Sequence, residues 1–230
     1  MKLESMLLNN KFSLVVSLPS NNTDFAQAAI DGGADAIKVH VNVLHAASGN
    51  LFGSFTENRP FLEKLIAMCD GKPVGLVIGG ADACVSEEEK KILEDIGIDF
   101  FSCYSEHLPA YMLKTDKITR MVAIHDTYET VLDAVKNSEI QVVEASIMKT
   151  SAYGTPLNFY DLLQYRKIVE KTGKPVLVPT QKAIRPDEVF GLVDAGCKAV
   201  MIGANVMDKA NPESCLIATR EFRKNIDALL

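Results

Sequence analysis

The chain has no paired-cysteine motif, no excess of basic residues, no long apolar run and no low-complexity linker, and each absence removes a class of protein. Its five cysteines (Cys69, Cys84, Cys103, Cys197 and Cys215) are odd in number and scattered, without a CxxC pair. That argues against a disulfide framework and against a zinc site. Lys plus Arg number 24 against 30 Asp plus Glu, a net charge of −6, so a polyanionic nucleic acid is a poor partner. No apolar stretch approaches the roughly 18–20 residues that span a bilayer. The opening MKLESMLLNNKFSL carries Glu4 and lacks a long apolar core before a small-residue cleavage site, unlike a secretory signal. A cytoplasmic protein without membrane or nucleic-acid partners is the expectation. What is present is ordinary for a folded chain: 230 residues, 47% apolar and 23% charged.

The apolar residues fall into a regular alternation. Short β-branched runs begin near Ser13 (SLVVSL), Ala36 (AIKVHVN), Val74 (VGLVIG), Asp99 (DFFSCY), Ile118 (ITRMVAI), Gln141 (QVVEASIM), Val176 (VLVP) and Ala199 (AVMIG). They start about 20–38 residues apart, the length of one βα unit. Helical patterns lie between them. Asp24–Asp31 stops at Gly32-Gly33, Ser86–Asp95 opens on a serine before glutamates and stops at Gly97, and Pro186-Asp187-Glu188 opens a helix that closes at Gly196. Continuous Val/Ile/Leu strands suit a parallel sheet covered on its faces. Eight units predict an α/β chain forming a single (β/α)8 (TIM) barrel, residues 1–230 as one domain. An open doubly wound sheet competes, but it normally has fewer strands, and no GxGxxG follows the first strand here.

In such a barrel the chemistry sits at the carboxyl ends of the strands. In Ile37-Lys38-Val39-His40-Val41-Asn42 polar and apolar residues alternate, so Lys38, His40 and Asn42 are expected to point inward. The plainer alternative is a half-exposed antiparallel strand. A buried lysine needs an acidic or anionic partner, and Glu144, on one face of the sixth strand with Ser146, is the natural one. The pair is either a structural ion pair or an acid/base pair. His125, after the fifth strand, is read as a proton shuttle or a core histidine; His45 lies in the loop after the second strand, and His107 opens the helix after the fourth. A divalent metal is disfavoured because the third strand supplies no ligand and Asn42 stands where a carboxylate would serve better. Lys149 is a Schiff-base candidate, a substrate contact or a solvated lysine, with Lys38 as the alternative imine former.

Gly203, Ala204 and Asn205 with Thr180, Gln181 and Lys182 resemble a phosphate clamp, the alternative being ordinary loop residues. Ser17 ends the first strand as a further substrate contact. Two glycine-hinged loops, His45–Arg59 and Lys149–Asn158, are candidate lids.

On these segments the chain resembles a family. LVVS in the first strand, AQAAIDGGADAIK leading into the second, SAYGT after the sixth and KPVLVPTQKAIRPDEVFGLVDAGCKAVMIGANV over the last two resemble the ribulose-phosphate-binding (β/α)8 barrels, most of all the N-acylglucosamine-6-phosphate 2-epimerases. VHVNVLHAASGNLFG is locally similar to ribulose-phosphate 3-epimerases, and Lys149-Thr150-Ser151 to class I aldolases. The catalytic residues of the two epimerase families are largely absent. Val77-Ile78-Gly79-Gly80 and Val178-Pro179-Thr180 replace the 2-epimerase lysine and glutamate. Of the 3-epimerase metal ligands only His40 matches. The clamp glycines usual after the seventh strand are replaced by Gln181-Lys182-Ala183. The resemblance implies a phosphorylated ligand, no cofactor and, by analogy, a homodimer. Three functions follow: a metal-independent isomerase or epimerase of a small phosphorylated sugar, a Schiff-base aldolase, or a barrel that binds a metabolite without turnover.

Overall fold

A computed structural model describes residues 2–81 and 83–229. The β-branched runs form strands β1 (Ser13–Ser17), β2 (Ala36–His40), β5 (Val74–Val77), β6 (Phe100–Tyr104), β7 (Thr119–Ile124), β8 (Val142–Ala145), β9 (Val176–Pro179) and β10 (Ala199–Ile202). The remaining two, β3 (Val43–Leu44) and β4 (Leu51–Phe52), pair as an antiparallel hairpin after β2. All neighbours in the barrel are parallel, in the closed order β1-β10-β9-β8-β7-β6-β5-β2. The chain is therefore a single (β/α)8 barrel.

The crossover helices are α2 (Thr23–Asp31), α3 (Phe55–Met68), α4 (Glu87–Ile96), α5 (Glu129–Lys136), α6 (Phe159–Thr172) and α7 (Val189–Asp194), and α8 (Pro212–Leu229) follows the last strand. Their ends follow local chemistry. Ser86 caps α4 by accepting from the Glu89 N–H while Glu89 reaches back to the Ser86 N–H, and Gly97, at φ +93°, ends the helix in the left-handed region. Between β6 and β7 there is only a short 3-10 turn, Ala110–Leu113, where the alternation suggested a helix opened by His107. No described helix is long and apolar enough to cross a membrane.

An additional helix, α1 (Lys2–Asn9), precedes β1. Its fully buried Leu3 and Leu7 pack with inward-facing Val15, Ala36, Phe100, Val142 and Leu177. Lys2 pairs with Asp99, and Gln141 donates to Glu4. This plugs the amino end of the barrel, leaving the carboxyl end for the cavity. Residues of opposite parity, such as Ile37, Val39, Phe101 and Val143, join the larger core between strands and helices.

Gly75 lies in the layer beneath the site. A Cβ there would sit 2.0 Å from the Phe100 ring, which is fully buried against α1. Gly75→Ala is expected to cost about 1–3 kcal/mol by overpacking, read as a lowered denaturant midpoint, and Phe100→Leu in the same chain should recover part of it.

Candidate active site

Strand parity carries Ser17, Lys38, His40, Ser102, Tyr104 and Glu144 into the carboxyl end of the barrel. There they line a cavity of about 650 Å³. Lys38 and Glu144 meet across its floor, Nζ to Oε2 3.0 Å, with side chains 5% and 7% exposed. Glu144 also accepts from Ser102 Oγ at 2.7 Å and from Ser146 Oγ at 3.0 Å. Burial pushes this carboxyl up, but the Lys38 charge and the Ser102, Lys38 and Ser146 hydrogen bonds outweigh burial and hold it below the usual carboxylate range. The floor is thus a buried ion pair facing open space, its carboxylate held by three donors.

Two imidazoles stand beside it. His40 and His45 have ring centroids 4.4 Å apart, and His40 also packs on Phe52 at 4.7 Å. Burial, then His45 and Lys38, pushes His40 well down, and its Nδ1 is buried without a partner among the described residues. Burial and Lys38 lower His45 to about 4, against a smaller opposing pull from Glu144. Both rings are neutral at pH 7. Tyr104 and Tyr153 line the cavity beyond the floor, and burial, Tyr153 and Glu144 raise the Tyr104 hydroxyl above its ordinary value.

At the β9–β10 side, Thr180 Oγ1 accepts from the Gly203 N–H at 3.2 Å, and Asn205 Nδ2 donates to the Thr180 and Gln181 carbonyls at 3.0 and 3.1 Å. The backbone N–H groups of Ala204 and Asn205 have no acceptor among the described residues. The turn therefore presents free donors beside the cavity, although α8 starts only at Pro212, so no helix N-terminus supports it.

Three of the residues singled out from sequence lie elsewhere. Lys182 does not face the cavity. Its ammonium is buried 3.2 Å from Asp161 Oδ2 and 3.0 Å from Thr155 Oγ1, because α6 brings an acid under that loop. His125 follows the last residue of β7, where parity no longer governs direction. Its side chain is 54% exposed, with Nδ1 3.1 Å from Glu106. Lys149 is exposed at the start of a 3-10 turn and does not line the cavity. Asn42 does line it, but from a turn at φ +55° that leads into the hairpin, beyond the end of β2.

The two candidate lids are fastened. Gln181 accepts from the Met148 N–H, donates to the Tyr153 hydroxyl at 2.7 Å, and its carbonyl receives the Gly154 N–H. Gln181 therefore holds the 149–158 loop in place while also lining the cavity. The other segment is the β3–β4 hairpin followed by the first turn of α3. Asn50 Nδ2 donates to the Pro19 carbonyl at 2.8 Å, and Lys209 Nζ to the Ser48 carbonyl at 2.6 Å.

Ser102, Tyr104, Phe52 and Tyr153 belong to the site without having been singled out as site residues. Ser102 and Tyr104 share inward parity with Phe100 on β6, a signal that could have found them. Phe52 and Tyr153 lie in connections whose course depends on tertiary contacts.

No protein-family model and no curated protein matches the chain. Several solved structures do. Thiamine phosphate pyrophosphorylase from Pyrococcus furiosus is 18% identical, with a TM-score of 0.66 over 97% of this chain and 99% of that one. Phosphoribosyl anthranilate isomerase from Thermus thermophilus is 12% identical, with a TM-score of 0.70 over 95% and 100%. A tryptophan synthase alpha-subunit from Pyrococcus furiosus is 14% identical, with a TM-score of 0.68 over 94% and 98%. At such identities the likeness establishes the fold this chain adopts, a (β/α)8 barrel.

Proposed function

We propose that the protein is an isomerase or epimerase of a small phosphorylated sugar, moving a proton next to a carbonyl without a metal. The observation that carries this reading is the buried Lys38–Glu144 pair on the cavity floor. A substrate carbonyl oxygen that takes hydrogen bonds from the Lys38 ammonium draws it from Glu144. The freed carboxylate becomes more basic and removes the adjacent carbon-bound proton. Electrons from that C–H bond move onto the carbonyl oxygen, where Lys38 stabilises the enolate. Glu144 then returns the proton to the neighbouring carbon on the same face, an isomerisation; an epimerisation takes a second proton donor on the opposite face, a part assigned to the neutral imidazole N–H of His40 or His45. Neutral His40 and His45 are placed to relay protons among the hydroxyls, and Ser146 and Asn42 to orient the sugar. The phosphate is assigned to the free Ala204 and Asn205 N–H groups of the Gly203–Asn205 turn beside Thr180 and Ser17, with no contribution from Lys182 or Lys149.

A thermal-shift panel of phosphosugars against their dephosphorylated forms tests the reading, with N-acetylmannosamine 6-phosphate and ribulose 5-phosphate included. A ligand at about 100 times its Kd stabilises by about 2.7 kcal/mol, which for a chain of this size raises Tm by about 5–10 °C. A shift confined to phosphorylated members supports the phosphate assignment, and no shift with any member overturns it.

A second reading is favoured by one feature. Lys38 is a buried lysine at the cavity floor, the position a Schiff-base aldolase requires once Lys149 is found exposed. Borohydride reduction with a keto substrate separates the two, because only the imine leaves a stable adduct on Lys38. Binding with neither turnover nor adduct would leave the non-catalytic metabolite barrel.

A further inference from the structure

Of the phenylalanines and tyrosines among the described residues, only Tyr128, Phe159, Tyr160 and Phe190 are exposed, by 71%, 73%, 67% and 54%. All four lie on three neighbouring helices, and none lines the cavity. Phe159 and Tyr160 open α6, Phe190 lies in the first turn of α7, and Tyr128 is the N-cap of α5. Leu163, 42% exposed, follows one turn after Phe159. Two contacts join the helices at this level. Thr127 Oγ1 donates to Gln164 Oε1 at 2.8 Å, one turn after Tyr160. Gly191, next to Phe190, lies so close to α6 that a Cβ on it would be 2.9 Å from Leu162 Cδ1. The five side chains form one band across the outside of the barrel.

The fold of the single chain does not account for this band. On α6 the buried residues Asp161, Tyr165, Ile168 and Thr172 recur every three or four positions and define its inner face. Phe159, Tyr160 and Leu163 lie on the opposite side, where a surface helix carries polar residues. On α7, Val189 and Leu192 turn inward and leave Phe190 out. Tyr128 stands at an N-cap, a position that favours Ser, Thr, Asp or Asn, and its side chain makes no cap hydrogen bond. Three helices thus break their local rules on the same side.

A phenylalanine or tyrosine side chain covers about 150–250 Å², so at these exposures the band leaves about 600 Å² of largely apolar surface open. That is the upper end for a monomer, and most of the roughly 800 Å² that each partner gives to a standard interface. Neighbouring charges are already engaged. Lys171 pairs with Glu129 at 3.5 Å, Arg185 with Asp187 at 3.0 Å, and Arg166 Nη2 donates to the Asp194 carbonyl. We propose that the band is an isologous interface between two copies of this chain, α5, α6 and α7 of one laid on the same helices of the other. Both flanks of the band are aromatic, so a two-fold centred on α6 sets ring on ring at either end. The five side chains alone then bury about 1,200 Å² over the two copies, the lower limit for a stable complex before the rim is counted. The resemblance to known families implied a homodimer without a surface for it, and this interface does not depend on the proposed reaction.

Sedimentation equilibrium of the intact protein tests the proposal. The unmodified chain is expected at the mass of two chains, with a Kd of about 1 μM or tighter. Phe159→Glu/Phe190→Glu should weaken association at least about 100-fold, because four rings leave the interface and four carboxylates enter it. Glutamate suits the first turn of a helix, and circular dichroism checks that the variant is folded. Tyr128→Ser supplies the missing cap, so it should weaken the dimer about tenfold while the chain becomes no less stable. Ile217→Glu, at an exposed apolar position on α8 outside the band, should leave the mass unchanged. A chain that stays monomeric at about 100 μM, or a dimer that persists in both band variants, overturns the proposal. Monomeric protein that co-sediments with phosphatidylcholine vesicles, and loses this in Phe159→Glu/Phe190→Glu, also overturns it and makes a lipid surface the occupant.

Discussion

Glu144→Gln should abolish turnover while leaving ligand affinity within a few-fold of the unmodified protein. Gln keeps the shape of the side chain and an oxygen that can accept from Ser102 or Ser146. It cannot take a proton from carbon. Loss of a positioned general base typically lowers kcat by about 10²–10⁴, and in a site where the same group both removes and returns the proton the upper part of that range applies. The readouts are the rate of solvent-deuterium incorporation into the substrate and Kd by titration, with circular dichroism confirming that the variant is folded. Comparable losses in rate and affinity would make Glu144 a structural anchor and would overturn its role as the base.

Lys38→Met carries the largest stability effect. It leaves the Glu144 carboxylate 7% exposed with hydroxyl donors but no counter-charge. Breaking a buried pair from one side costs about 3–5 kcal/mol, a fall in Tm of about 6–20 °C for a chain of this size. The pH dependence has a defined sign. In the unmodified protein the Glu144 pKa is lowered from 4.5, so its contribution is fully present above that value and is lost as pH falls through the depressed one. Without Lys38, burial dominates and the carboxyl moves above 4.5. Its neutral form is then the stable one, and stability falls as pH rises through the raised value. The deficit of Lys38→Met should therefore be greater at pH 8 than at pH 5, and Lys38→Met/Glu144→Gln should recover most of the loss at pH 8. A deficit equal at both pH values would mean that the pair is not the source of the effect.

The barrel strands were legible because a buried parallel strand is a local pattern. Runs such as SLVVS and VLVP carry their burial in their composition, and each observed strand begins within one residue of the predicted run. Helix ends were legible for the same reason at Ser86, Gly97 and Gly196, where a cap is a property of a few neighbouring residues. The hairpin and α1 were not. Two-residue strands leave too little period to read, and α1 exists as a plug whose partners, Phe100, Val142 and Leu177, are far away in sequence.

The same division runs through the site. Alternation within β2 and β8 determined, from sequence alone, that Lys38 and His40 share one face of a strand and that Glu144 is an inward acid able to meet Lys38, because a strand's pleat enforces direction two residues at a time. That rule stops where the strand stops. His125 turns out to Glu106, and Asn42 enters the hairpin. Lys182, in a loop rich in apparent phosphate ligands, is claimed by Asp161 from a helix about 20 residues earlier in the chain. Charge in a loop goes to whichever opposite charge the packing of helices brings near. Tertiary structure alone therefore decided which cations the cavity keeps and that both loops are fastened.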